Sequence, residues 1–350
     1  MATQPCALGQ TQDNSKTRKA EISSFDFSLL DDWLNPNDLF FIREHFPAPA
    51  PALSQWRLSI GGAVANPFDV NYDEVLQQPR KSLAVTLECA ENPVGGGLVG
   101  NAEWTGVSLA LLLEKARPLP AAGFVRLSGA DRDPTGGACY ARTIPLSKEL
   151  HADTLLAHRM NGEKLPDAHG FPLRAVVPGW YGMNSVKWLQ KIELLTERGK
   201  DLVPEHSYLR RTRLPGSGQV VTEPVTAMNV KAVFSRPLDG AILVGRRFVV
   251  RGAAWAGENR VERVEVSTNG GSTWHDALVN TPGQPGPQAY SWVLWEFDWR
   301  IPASGRYELV VRATDEQRRT QPAIRPAGKL DEYEETTYQK VQCTVLGSAK

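Results

Sequence analysis

The sequence predicts an α+β protein in two parts, a mixed α/β domain followed by a β-sandwich. Three observations carry this. From Phe25 to about Arg213, short strand-like runs alternate with short helical ones and are broken by prolines and glycines. From Thr222 onward, strand candidates follow at close intervals with turn residues between them. Between the two lies RTRLPGSGQVVTEP, residues 211–224, with the composition of a linker. A chain of 350 residues suffices for two or three separate cores.

Residues 1–24 are polar and read as a flexible tail without the apolar stretch of an export signal. No apolar run approaches membrane-spanning length. Within 25–213, ALSQWRLSIGG reads as a strand running into a glycine turn, and SLAVTLEC as a β-rich run ending at Cys89. VSLALLLEKA spaces its leucines for a short packed helix, and PLRAVVPG is a buried strand stopped by Pro178. Residues 214–221 are the expected linker. From 222 to 350, AVFSRPLDG, FVVRGAAWAG, RVERVEVSTNGGSTWHDALV, SWVLWEFDWRIP and GRYELVVRATD are successive strands, with Asn269-Gly270-Gly271 marking a hairpin. The pattern predicts an immunoglobulin-like sandwich, although the Cys…Trp…Cys spacing is missing.

Composition excludes some partners. Lys+Arg and Asp+Glu are equal at 39 each, so no overall charge draws the chain to nucleic acid or a lipid surface. Cys6, Cys89, Cys139 and Cys343 are scattered, without CxxC or zinc spacing, which predicts reduced thiols in a cytoplasmic setting.

One cysteine stands apart. Cys89 closes a strand and is followed by AENPVGGGLVG, whose glycines would let backbone approach a bulky group. It can be a buried small hydrophobe, a nucleophile served by His45 or His169, or a soft thiolate metal ligand. Arg43 and His45 sit two apart in FFIREHFPAP, on one side of an extended segment. His169, Arg174 and Lys187 lie in a turn-rich block suited to holding an anion. Each alone has an ordinary reading, such as a surface pair for Arg43 or a hydrogen-bonded structural imidazole for His45. The phosphate loop GxxxxGK[ST] and the Rossmann GxGxxG are missing.

FFIREHFPAP, VTLECAEN, WTGVSLALLL and above all HGFPLRAVVPGWYGMNSVKWL resemble the sulfite oxidase family of molybdenum-cofactor enzymes, over nearly the whole length from Phe25. The resemblance implies molybdenum held by the dithiolene sulfurs of one molybdopterin and by Cys89. It implies cofactor-binding roles for Arg43, His45, His169, Arg174, Ser185 and Lys187, a pocket-lining Trp104, and a pocket position at Asn184. Catalytic roles accordingly fall on Cys89, Arg43, Trp104 and Asn184. It further implies a dimerisation domain from Thr222, a small anionic substrate, and a separate electron acceptor, since no haem segment is visible.

The sequence departs from the family in ways that bear on the substrate. Glu91 stands where sulfite oxidases have glycine, Pro93 and Val94 stand at arginine positions, and Asn184 replaces an arginine often found there. Substitute cations would be Arg213 or Lys340, and the pocket tyrosine Tyr208 or Tyr140. Three functions follow: oxidation of sulfite or a close sulfur oxyanion, redox chemistry on a less anionic S-oxide or N-oxide, or a scaffold that kept the fold. A metal-free thiol hydrolase built on Cys89 and His45 is a further possibility of another class.

Overall fold

A computed structural model describes residues 19–135, 138–198, 208–279 and 289–347. Among these residues strands dominate, and the three α-helices are short. Residues 1–18, including Cys6, lie outside the described residues. The end of the expected tail is bound into the fold: β1 (Ile22–Ser23) pairs with β2 (Ile42–Arg43). The Glu21 N–H also donates to the Glu44 carboxylate at 2.9 Å.

The first region contains β3 (Arg57–Gly62), β4 (Phe68–Asn71), β5 (Arg80–Glu88), β6 (Val99–Ser108) and β7 (Phe124–Arg132). It continues with β8 (Cys139–Pro145), β9 (Leu155–Met160), β10 (Glu163–Lys164), β11 (Arg174–Val176) and β12 (Leu189–Leu195). One sheet runs β10-β9-β6-β5 with β11 also on β9; the other runs β4-β3-β12-β7-β8. Leu58, Ile60, Val107, Leu127, Leu156, Ala175 and Ile192 belong to the core that the two sheets share. Helix α1 (Tyr72–Leu76) starts with a capping box between Asn71 and Glu74, which satisfies otherwise orphaned N–H groups. Helix α2 (Leu109–Ala116) buries Leu109, Leu112 and Leu113 and leaves Leu111 exposed, the i, i+3, i+4 stripe its leucines predict. Helix α3 (Leu146–Glu149) packs on β7 and β8.

The segment read as a linker is itself structured. β13 (Leu209–Arg213) and β14 (Val220–Pro224) form a hairpin whose turn takes up most of residues 214–221. Beyond it come β15 (Lys231–Arg236), β16 (Ala241–Val244), β17 (Arg247–Trp255), β18 (Val261–Ser267), β19 (His275–Asp276) and β20 (Leu278–Val279). β21 (Val293–Arg300), β22 (Gly305–Asp315) and β23 (Gln339–Leu346) complete the chain. Sheets β15-β17-β21-β20 and β16-β23-β22-β18-β19 face each other across Phe234, Val250, Val266, Trp295, Trp299 and Val311. The Asn-Gly-Gly turn joins β18 to β19, and Asn269 Oδ1 accepts the Thr273 N–H at 2.9 Å. Among the described residues no helix is long and apolar enough to cross a membrane.

The two regions share a third core. Phe25, Phe27, Tyr181 and Met183 pack with Trp255 and Trp292 of the sandwich. At its centre Glu88, the last residue of β5, meets Lys231 at 2.8 Å and the Trp255 indole N–H at 2.8 Å. Both charged side chains are only 2% exposed. The Lys231 ammonium also donates to the carbonyls of Asn92 and Pro93, so the sandwich grips the turn that follows Cys89.

Candidate molybdenum-cofactor site

Cys89 follows β5 and is held by its backbone. Its N–H donates to Leu98 O at 2.9 Å, and its carbonyl accepts the Asn92 N–H at 2.9 Å. The Asn92 side chain accepts from Leu98 N and donates to Glu88, which closes the loop on itself. The glycines here serve protein packing rather than a cofactor. A Cβ on Gly97 would lie 1.9 Å from the Phe25 carbonyl oxygen, and Gly95, at φ +72°, faces the Gln339 side chain.

The thiol opens on a pocket that continues to solvent. Cys89, Arg43, His45, His169, Arg174, Ser185 and Lys187 all line it, although four separate stretches of chain supply them. Glu44, Asp131, Tyr140 and Tyr208 join them in the wall. β2 ends at Arg43, so the strict alternation that would turn Glu44 away is lost.

Two expected residues are elsewhere. Trp104 is fully buried in β6 with its indole N–H on Val85 O at 3.3 Å, and it supports the Arg174 guanidinium 4.7 Å above its ring. It therefore backs the wall instead of lining it, because its place on a two-sided buried strand points it into the core. Asn184 donates to Tyr181 O at 3.3 Å and is 2% exposed, so its neighbour Met183 takes the lining place. The proposed substitutes are distant too. Arg213 bonds Gly218 O in the exposed hairpin, and Lys340 pairs with Glu308 on the sandwich. Val94 lines a different groove, with Phe234 and Pro237. An arginine at Asn184 or Val94 is therefore not expected to restore charge to this pocket. Both candidate tyrosines are in the wall: Tyr208 Oη lies 2.7 Å from His45 Nε2, and the Tyr140 hydroxyl donates to Met183 O at 2.8 Å.

The cations are fixed by carbonyls and carboxylates. Arg174 donates to His169 O at 3.0 Å and Ser185 O at 3.1 Å; burial lowers its pKa to about 9, which leaves it charged at neutral pH. Lys187, lowered by burial to about 8, donates to Ala168 O at 2.9 Å and stands 3.7 Å from Glu44. Burial brings His45 and His169 down to about 4, so both imidazoles are neutral. His169 Nε2 lies 3.0 Å from the Asn37 carbonyl, which only accepts, so Nε2 carries the proton and Nδ1 is left as an acceptor. Burial pushes the Cys89 thiol up to about 11, so a metal taken up there must displace a proton.

Unsatisfied acceptors tell what the pocket wants. Asp131 Oδ1 and Glu44 Oε1 are buried without a hydrogen-bond partner, and burial raises Asp131 to about 7. Such groups suit N–H donors of a heterocycle. Among the described residues no three His, Cys, Asp or Glu side chains gather to hold an ion, so a metal on Cys89 would bring its remaining ligands with it. A soft sulfur donor, buried cations and buried acceptors without a hydrogen bond together fit a metal carried on an anionic pterin. Asp131 and Glu44 escape sequence reasoning because a single acid in a strand or beside an arginine carries no pattern.

Comparison with known proteins agrees with this donor set. Residues 45–203 match the oxidoreductase molybdopterin binding domain, and residues 222–345 the Mo-co oxidoreductase dimerisation domain. Sulfite oxidase of Gallus gallus is 34% identical over 318 residues, covering 84% of this chain and 69% of that protein. The chain belongs to the sulfite oxidase family of molybdenum-cofactor oxidoreductases. Mitochondrial sulfite oxidase of Mus musculus is 31% identical over 324 residues, and there the match spans 58% of the relative's length. The sulfane dehydrogenase SoxCD from Paracoccus pantotrophus superposes with a TM-score of 0.80 at 26% identity, covering 95% of this chain and 86% of that one. As a family member the chain carries Mo-molybdopterin, and the residues that fit it here are Cys89 for the metal with His169, Arg174, Lys187 and Asp131 around the organic part.

Proposed function

We propose that the protein oxidises a small sulfur oxyanion, of which sulfite is the simplest, by oxygen-atom transfer at the Cys89 pocket. The observation that carries the reading is the Cys89 thiol opening on a solvent-connected pocket that also gathers Arg43, Arg174 and Lys187. The likeness to sulfite oxidases and to a sulfane dehydrogenase supports a sulfur substrate. When bound, the cofactor's molybdenum supplies the oxygen transfer and accepts two electrons. The chain's own residues supply position and charge. Cys89, freed of its proton, fixes the metal. Arg174 and Lys187 hold the cofactor's anionic part, and Arg43, the partly exposed cation of the wall, faces the incoming oxyanion. Neutral His45 and the Tyr208 hydroxyl form a hydrogen-bonded pair at the pocket wall.

The sandwich is read as immunoglobulin-like and as the surface through which two copies pair, which the match to a dimerisation domain supports. Electrons then pass to a separate acceptor. A second reading, a less anionic S-oxide or N-oxide reduced with electrons from a separate donor, is favoured by the carboxylate of Glu91 on Arg43. Holo-protein from a cofactor-competent host, reduced or oxidised as each substrate requires and followed by absorbance, separates them. Reduction by sulfite supports the first reading. Reoxidation by dimethyl sulfoxide or trimethylamine N-oxide, with no response to sulfite, replaces it.

A further inference from the structure

Of the described residues, the cations in the pocket wall are Arg43, Arg174 and Lys187. Arg174 is buried among three backbone carbonyls and an indole face, and Lys187 beside a carbonyl and Glu44, where both are read as holding the cofactor. Arg43 differs in being reachable, its side chain 21% exposed at the mouth. Its Nη1 is tied to Glu44 O at 2.7 Å. Its other edge, Nε and Nη2, donates to one oxygen of Glu91 at 3.2 and 2.9 Å. That edge is the planar fork with which an arginine takes two oxygens of an oxyanion.

We infer that Glu91 is a specificity-determining residue of the pocket: it occupies the anion-binding edge of Arg43 and turns the site toward sulfur species of low negative charge. The inference rests on the reading of the pocket as the substrate site and deepens it. Two features make the occupation effective. Glu91 sits in the turn of Cys89, which the Lys231 contacts hold in place, so its carboxylate is tethered beside its target. A dianion that displaces it must also break the Arg43–Glu91 pair and approach that carboxylate. Of the three cations in the wall, Arg43 is paired with Glu91 and Lys187 with Glu44, so little unpaired positive charge is left to offset that repulsion. An uncharged or singly charged substrate pays far less of this cost.

Sulfate is the probe, a non-reacting dianion that offers an arginine the same pair of sulfur-bound oxygens. Its dissociation constant is measured by titration calorimetry on holo-protein for the wild type, Glu91→Gln, Glu91→Gly, and Glu91→Gln with Arg43→Met. Sulfate binding is expected to tighten about tenfold or more in both single variants, the size of one charge-assisted contact regained. The gain should vanish when Arg43 is also replaced, and KM for sulfite should fall in parallel. Unchanged sulfate affinity in both single variants overturns the inference, as does a gain that persists without Arg43. Tighter sulfate binding in a protein that never oxidises sulfite sinks the functional reading and leaves the role of Glu91 standing.

Discussion

At the scale of single residues, the pocket converts burial into chemistry. Cys89 keeps its proton in the apo-protein because burial outweighs the nearby Arg43, so metal uptake is coupled to proton release. Replacing Cys89→Ser removes the soft donor while changing little volume. Molybdenum content, measured by elemental analysis on protein from a cofactor-competent host, should fall sharply with the circular dichroism spectrum retained. A variant with full molybdenum and full turnover would remove Cys89 from the site. Arg174 has a second duty, since its donors satisfy the carbonyls of His169 and Ser185. Arg174→Met should lower stability by about 2–3 kcal/mol even without cofactor, because those acceptors are left buried. Denaturant unfolding of the apo-protein tests this.

At the scale of elements, the question is how the cysteine turn is held, and the sandwich supplies half of the answer. Lys231→Met leaves Glu88 charged and unpaired in a buried place, at a cost of about 3–5 kcal/mol. Adding Glu88→Gln should recover much of that, since an amide oxygen can still accept from Trp255. Equal melting temperatures for the single and double variants would show that the pair is not coupled. Gly97→Ala should cost about 1–3 kcal/mol, as its methyl meets the Phe25 carbonyl. This is also where sequence reading reached its limit. The α2 run was legible because its apolar period matches its burial, and β5 because its β-rich run ends in an unbroken buried half. The HGFPLRAVVPGWYGMNSVKWL block drew attention to Arg174 and Lys187, and both line the pocket. Misplacement of Trp104 and Asn184 has one cause: a motif gives the order of residues but not which way a buried side chain points. The glycines after Cys89 suggest room for a ligand, whereas Gly95 and Gly97 make room for Gln339 and Phe25 of the chain itself. Glu88 and Lys231 are 143 residues apart, and no local pattern joins them.

At the scale of the whole molecule, two features set behaviour in solution. Glu149 in α3 is fully buried with neither carboxylate oxygen hydrogen-bonded, and burial pushes it up to about 8. The folded state therefore holds this proton more tightly than the unfolded chain, whose glutamate titrates near 4.5. Its contribution to stability is complete below about pH 4.5 and is lost as pH rises to about 8. Glu149→Met should flatten that part of the profile, so the variant's melting temperature relative to wild type should be higher at pH 8 than at pH 5. An identical slope in both proteins would assign the dependence to other groups. The paired copies proposed for the sandwich should give twice the chain mass by light scattering at micromolar concentration, and a monomer mass there would count against pairing.

The lysine that reaches across from the sandwich to the end of β5 also has a thermodynamic consequence. Neither half of the chain can melt without stranding a charge or a tryptophan face of the other, so the interface welds two nominal modules into one cooperative unit. Calorimetry on the full chain should record a single endotherm, and a fragment ending in the hairpin turn should be unable to keep its cysteine loop in shape.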